Sequence, residues 1–320
     1  MINNSKLIIF ILISAMFLCC EKQSGDNTDD EPTITQAPEL KGKLVYHNYT
    51  TYETRDSKLW LYDFETDKLI CISEDWGIIN PMNAHFSPDG KQIVFMGIGS
   101  TNSWDIFLYD FEYDDFPVNL TPVGTTRDED PKFSPDGKRI AFKRDFKIAE
   151  MELSTRKVTI LSPDDYSMPY YNYDGTKLIC SKSDGPTSSI AVIDIAAKEI
   201  VTLYDALGVQ DYYPINADEK SFYYSAGYLP SNRLDQVYRG YWNGTKSTRL
   251  PFNNMDGDYS DAYPVNDDWV IISSTRKGTK GGYDLYVAHV RQDIVFPLTD
   301  YNKDINTSKN ELGASIFLVK

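Results

Sequence analysis

The chain has 320 residues, 41% hydrophobic and 13% aromatic, and a formal net charge of −15. That is ample apolar material for a large core, so a wholly unfolded chain is excluded. The acidity excludes duplex nucleic acid and a bare anionic lipid surface as partners, because their phosphates would be repelled, and the 23 tyrosines favour β-structure.

In chain order, residues 1–20 form a targeting segment. Lys6 supplies a short positive region, and 7–18 is an apolar run too short to span a bilayer as a stable helix. The run ends at Cys19-Cys20. Phe17-Leu18-Cys19-Cys20 resembles the lipobox of bacterial lipoproteins, where the cysteine after a small residue is diacylated and becomes the new N-terminus. Cys20 is the expected lipidation site, since lipidation at Cys19 would put bulky Leu18 directly before it. An ordinary secretory leader with two incidental cysteines is the alternative. The lipobox implies an exported protein, anchored by lipid to a bacterial membrane, the outer one being expected, and facing the periplasm or the cell surface. Residues 21–40 are rich in Asp, Glu, Asn, Thr, Gly and Pro. Such a stretch buries too little surface to offset its conformational entropy and is expected to be a flexible acidic tether.

From residue 41 onward strand follows strand. The pattern predicts strands at 43–49, 58–63 and 68–72. Residues 86–95 then read FSPDGKQIVF, and 133–142 repeat them as FSPDGKRIAF, 47 residues on. A phrase recurring at such a period marks a repeat fold. Pro88, Asp89 and Gly90 are tight-turn residues between two apolar strands, so each copy is a hairpin. Worn copies centre on Asp174, Asp218 and Asp268. Further strands are expected after each copy, at 104–110, 118–121, 146–152, 157–161, 189–194, 199–203, 236–241, 247–250, 283–287 and 294–299. The anchors step by 38 to 50 residues, about four strands each, or one propeller blade. Five anchors give five blades, and 43–72 supplies a sixth that lacks its first strand. The strand near the end of 311–320 is expected to pair with 43–49 and close the ring. The expectation is an all-β, six-bladed β-propeller over 41–320, closed by a C-terminal strand in the first blade.

The phrase is followed by an apolar strand, then Asp105-Ile106-Phe107, then Leu120-Thr121. The last unit carries Ser274-Thr275-Arg276-Lys277-Gly278 and Gly281-Gly282-Tyr283-Asp284-Leu285-Tyr286. Together these resemble the propeller repeat of the TolB family of periplasmic translocation proteins. The likeness covers about 41–320 and lacks the α/β domain that precedes the propeller in that family. It implies the fold and says little of function, because such blades also occur in binding proteins, scaffolds, peptidases and lyases.

Chemistry is sparse. The histidines are His47, His85 and His289, none paired at metal-ligand spacing, and only His85 falls near an expected channel position. A G-x-S-x-G nucleophile elbow is missing. Cys71 and Cys180 fall in blades too far apart for a disulfide. One constellation recurs: Asp128, Asp211 and Asp261 each stand three residues before a proline, Pro131, Pro214 and Pro264. Tyr213 and Tyr263 directly precede the last two, and Arg127, Asp130 and Tyr166 are expected close by. Opening the inner strands, these residues are expected to ring one mouth of the channel, where carboxylates and aromatics bind a cation, a sugar or a peptide amine. Ca²⁺ is the favoured metal there, for want of histidine and thiolate ligands. The carboxylates fit a second role equally well, closing turns at blade junctions. The leading expectation is a monomeric, non-enzymatic binding or scaffold module for an envelope protein or glycan. The alternative is a carbohydrate-active lyase or hydrolase with its site at the channel mouth.

Overall fold

The computed structural model describes residues 34–113, 115–204, 209–228 and 234–319, with Tyr228 described by its backbone alone. Cys20, the leader and most of the tether lie outside the described residues. The compact unit runs from Gln36 to the C-terminus.

The described residues form strands linked by turns and two short 3₁₀ segments. The first group is β1 (Gly42–Tyr49), β2 (Lys58–Asp63) and β3 (Lys68–Cys71). Next come β4 (Ile79–Phe86), β5 (Gln92–Ile98), β6 (Trp104–Asp110) and β7 (Val118–Asn119). The third group is β8 (Asp128–Phe133), β9 (Arg139–Arg144), β10 (Lys147–Glu152) and β11 (Val158–Ile160). The fourth is β12 (Tyr166–Tyr171), β13 (Lys177–Asp184), β14 (Thr187–Asp194) and β15 (Glu199–Tyr204). The fifth is β16 (Val209–Asn216), β17 (Ser221–Tyr228), β18 (Gln236–Tyr241) and β19 (Thr248–Arg249). The sixth is β20 (Tyr259–Pro264), β21 (Trp269–Ser274), β22 (Asp284–His289) and β23 (Val295–Pro297), before β24 (Asn310–Leu318). Four of the sheets have four strands each; the fourth and fifth groups are hydrogen-bonded into one sheet of eight. That joint is a single parallel pair, Ser188 of β14 opposite Gln210 of β16. The chain is an all-β propeller.

Local chemistry sets the hairpins. In the first phrase Asp89 Oδ1 accepts from Ser87 Oγ at 2.6 Å and from the Lys91 N–H at 3.2 Å. Asp136 repeats this with Ser134 and Lys138. The worn copies keep the device: Asp174 accepts from the Thr176 N–H, and Asp218 from the Lys220 N–H. In the last copy the anchor moves. Asn266, not the expected Asp268, accepts from the Asp268 and Trp269 N–H groups. An amide oxygen closes this turn as well as a carboxylate does. Asp284 of the G-G-x-D element likewise accepts from the Lys280 and Gly281 N–H groups.

The core lies in the interfaces between neighbouring sheets, not in one central mass. Val94, Met96 and Ile106 meet Phe133, Ile140 and Phe142 across one interface. Ile179 and Ile190 meet Phe222, Tyr224 and Ala226 across another, so the two halves of the eight-stranded sheet also pack face to face. The outer strands β7, β11, β19 and β23 are only two or three residues long, which shortens the exposed pairing edges. Closure is as expected: β24 pairs antiparallel with β1, from Gly42 opposite Leu318 to Tyr49 opposite Asn310. Phe317 then lies over the first turn. Gly90, at φ +70°, would place a Cβ 2.4 Å from the Phe317 ring, so turn and closing strand fit only with glycine there.

Candidate binding site along the central channel

Six strands, β4, β8, β12, β16, β20 and β24, face one another around the channel, and each carries the same irregularity. Their pairing register shifts around one residue in the left-handed region: Asn83, Asp130, Met168, Tyr213, Asp261 and Gly313. Five of the six are not glycine, an uncommon state that a β-bulge supports. The bulges aim these side chains at one another. They line a narrow waist of about 30 Å³. Two residues further along each strand stands a second ring: His85, Lys132, Tyr170, Ile215, Tyr263 and Ser315.

Polar side chains at the waist are bonded to one another. Asn83 Nδ2 donates to Asp130 Oδ1 at 2.7 Å and to Tyr213 Oη at 3.3 Å. Asp261 Oδ1 accepts from Ser260 Oγ at 3.0 Å. Burial raises the Asp130 and Asp261 carboxyls above the usual range. Burial lowers the Lys132 ammonium while both carboxylates pull it back up. His85 Nδ1 accepts the Phe133 N–H at 3.2 Å, so its proton sits on Nε2 and is donated to Tyr170 Oη at 3.0 Å. Tyr170 Oη reaches Tyr263 Oη at 3.5 Å. His47 Nδ1 accepts the Asn83 N–H at 3.4 Å. Burial, helped by Lys132, depresses both histidines, His47 to about 3 and His85 well below its ordinary value.

Beyond the waist the channel widens both ways. At the hairpin-turn end a space of about 470 Å³ lies among Pro88, Pro135, Tyr173 and Phe317. At the other end a funnel of about 280 Å³ is ringed by Tyr49, Tyr52, Tyr212, Tyr213 and Tyr283, with Asp261 and Asn83 at its floor. The rim tyrosines are held: Tyr283 Oη donates to Asp258 Oδ2 at 3.0 Å, and Tyr212 Oη to Asp235 Oδ2. Tyr52 Oη accepts from Arg127 Nη2 at 3.3 Å.

The expected site residues separate. Tyr213, Tyr263 and Asp261 line the waist. Asp128 is fully buried, and both its oxygens accept from Arg144, at 2.8 Å from Nε and 2.8 Å from Nη2. Arg127 stays at the rim, donating to Glu129 Oε1 at 2.6 Å and lying over Trp104. Tyr166 is buried in a sheet interface. Asp211 stands opposite Ala226 two residues before the bulge, and burial pushes its carboxyl up to about 7. The Ca²⁺ site expected from Asp128, Asp211 and Asp261 therefore lacks the convergence it needs. The reason is register. Counting from the proline groups Asp261 with Asp128 and Asp211, whereas the bulge makes Asp261 equivalent to Tyr213 and Asp130. Asp130, expected close by, lines the waist, and Lys132, which the sequence reading does not single out, stands beside it in the second ring.

No family model and no curated protein sequence matches this chain. Solved structures do. TolB from Acinetobacter baumannii superposes with a TM-score of 0.66 at 19% identity, covering 87% of this chain and 67% of that one. The putative TolB from Agrobacterium tumefaciens gives 0.61 at 14%, covering 88% and 100%. An oligogalacturonate lyase from Vibrio parahaemolyticus gives 0.51 at 14%, covering 78% and 71%. At these identities the likeness is one of fold. The chain is a β-propeller, and its arrangement is TolB-like.

Proposed function

We propose that this is a six-bladed, lipid-anchored propeller of the bacterial envelope, acting as a non-enzymatic binding module for a protein or glycan partner at the tyrosine-ringed funnel. Six equivalent bulges around one waist support six blades, as does the face-to-face packing of the halves of the eight-stranded sheet. The lipobox-like Phe17-Leu18-Cys19-Cys20 and the acidic segment after it support anchoring and export.

One observation carries the binding reading: rigidly held aromatic rings surround a concavity whose floor groups are already committed to one another. His47 and His85 each spend Nδ1 on a backbone N–H, so neither offers that lone pair as a base. A second reading, carbohydrate-active lyase or hydrolase, is favoured by Asp211, whose carboxyl near 7 lies where a general acid works. A panel of oligosaccharides and peptides, assayed for both binding and products, separates the two. Saturable binding without turnover is expected. Turnover that Asp211→Asn abolishes would establish the enzyme instead.

A further inference from the structure

We infer that the funnel continues sideways into a groove built for a neutral oligosaccharide, which rests on the binding reading above and narrows it to one ligand class. The groove, about 360 Å³, runs between β14 and β16 on the funnel side and shares Tyr212 and Tyr213 with the funnel. Its lining includes Ser167, Ser181, Ser183, Thr187, Ser188 and Gln210, and none of its ten lining residues is charged.

The groups suit sugar hydroxyls. Serine and threonine hydroxyls and the glutamine amide each donate and accept, as sugar hydroxyls do. Some of their protons are spoken for, leaving oxygens to accept: Ser181 Oγ and Ser188 Oγ donate to the Asp211 carbonyl at 2.8 and 2.9 Å, Gln210 Nε2 to the Pro186 carbonyl at 3.3 Å, and Thr187 Oγ1 to the Asp184 carbonyl at 3.4 Å. These bonds hold the floor. Ser183 is exposed and Thr187 half-buried at the open side. The half-buried Tyr212 and Tyr213 supply ring surface for the apolar face of a sugar ring.

The geometry disfavours a peptide. An extended peptide gains most by adding to a free strand edge. Here the two flanking strands are already paired to each other through Ser188 and Gln210. An acidic glycan is disfavoured because no Lys or Arg is among the ten lining residues to pair with its carboxylates.

The test uses the full propeller with cellohexaose, xylohexaose, maltohexaose, mannohexaose, hexagalacturonate and a decapeptide library, measured by calorimetry. At least one neutral hexaose should bind. The double variant Ser183→Ala, Thr187→Val should weaken it tenfold or more with an unchanged melting temperature. Tyr212→Leu gives a second check on the same groove. Preference for hexagalacturonate, or for peptides, overturns the neutral-sugar class and leaves the binding reading standing. Neutral-sugar binding untouched by both groove variants overturns the groove as the site. Failure of every probe to bind overturns this inference and leaves the binding reading to folded protein partners.

Discussion

At the scale of single residues, buried ionisable groups set opposing pH dependences. Asp211 has its carboxyl pushed from 3.8 to about 7 by burial. Its folded form keeps a proton that the unfolded chain releases, so its contribution is complete below about pH 4 and is lost as pH rises through 7. His47 and His85 act the other way. Their folded values lie below 6.5, so the unfolded chain takes up protons first and stability falls as pH drops below about 6.5. Asp130, Asp261 and Glu311, all raised, reinforce Asp211. Between about pH 4 and 6.5 the two sets offset each other. Asp211→Asn should therefore stabilise the protein above pH 7, by up to roughly 4 kcal/mol. It should also expose the acid-side loss due to the histidines. Urea melts from pH 4 to 8 check this; parallel curves for parent and variant would contradict it.

At the scale of elements, β24 stands apart because it comes last in the chain and yet is the innermost strand of the first sheet. It pairs with β1 along its length and supplies Gly313, Ala314 and Ser315 to the waist. Its Phe317 covers the first hairpin turn at Gly90. Deleting 312–320 removes ring closure, part of the channel wall and the cover of that turn at once. The loss is several side chains' worth of burial plus an opened pairing edge. The melting temperature should fall by at least roughly 10 °C, with exposed apolar surface detectable by dye binding. A truncated protein that melts with the parent would show that closure contributes little.

At the scale of the whole molecule, the acidic propeller has no electrostatic attraction to an anionic bilayer. The proposed membrane attachment would therefore rest on acyl chains at Cys20. Cys20→Ala should move the protein from the membrane to the soluble fraction and end incorporation of labelled fatty acid. Labelling that persists in the variant would place the lipid elsewhere. The anchor and the funnel are then separable: the soluble variant should keep its ligand.

How much was legible in the sequence follows from which interactions are local. The repeat, the hairpins, most strand positions and the closing role of the last strand could be read directly, because turn residues and apolar alternation act between near neighbours. The shift from Asp268 to Asn266 was missed because either side chain closes such a turn. The site was legible only in part. Tyr213, Tyr263 and Asp261 are legible from their spacing to Pro214 and Pro264, and His85 from its place directly before the first phrase. Asp128 was misplaced because its partner, Arg144, is on the neighbouring strand and claims both oxygens. A bulge adds one residue and reverses which side chains face inward, and no local residue pattern announced it. The hydroxyl-lined groove lies beyond sequence altogether. It exists because two strands from different repeats meet at Ser188 and Gln210, and that meeting is decided only when the sheets pack around the ring.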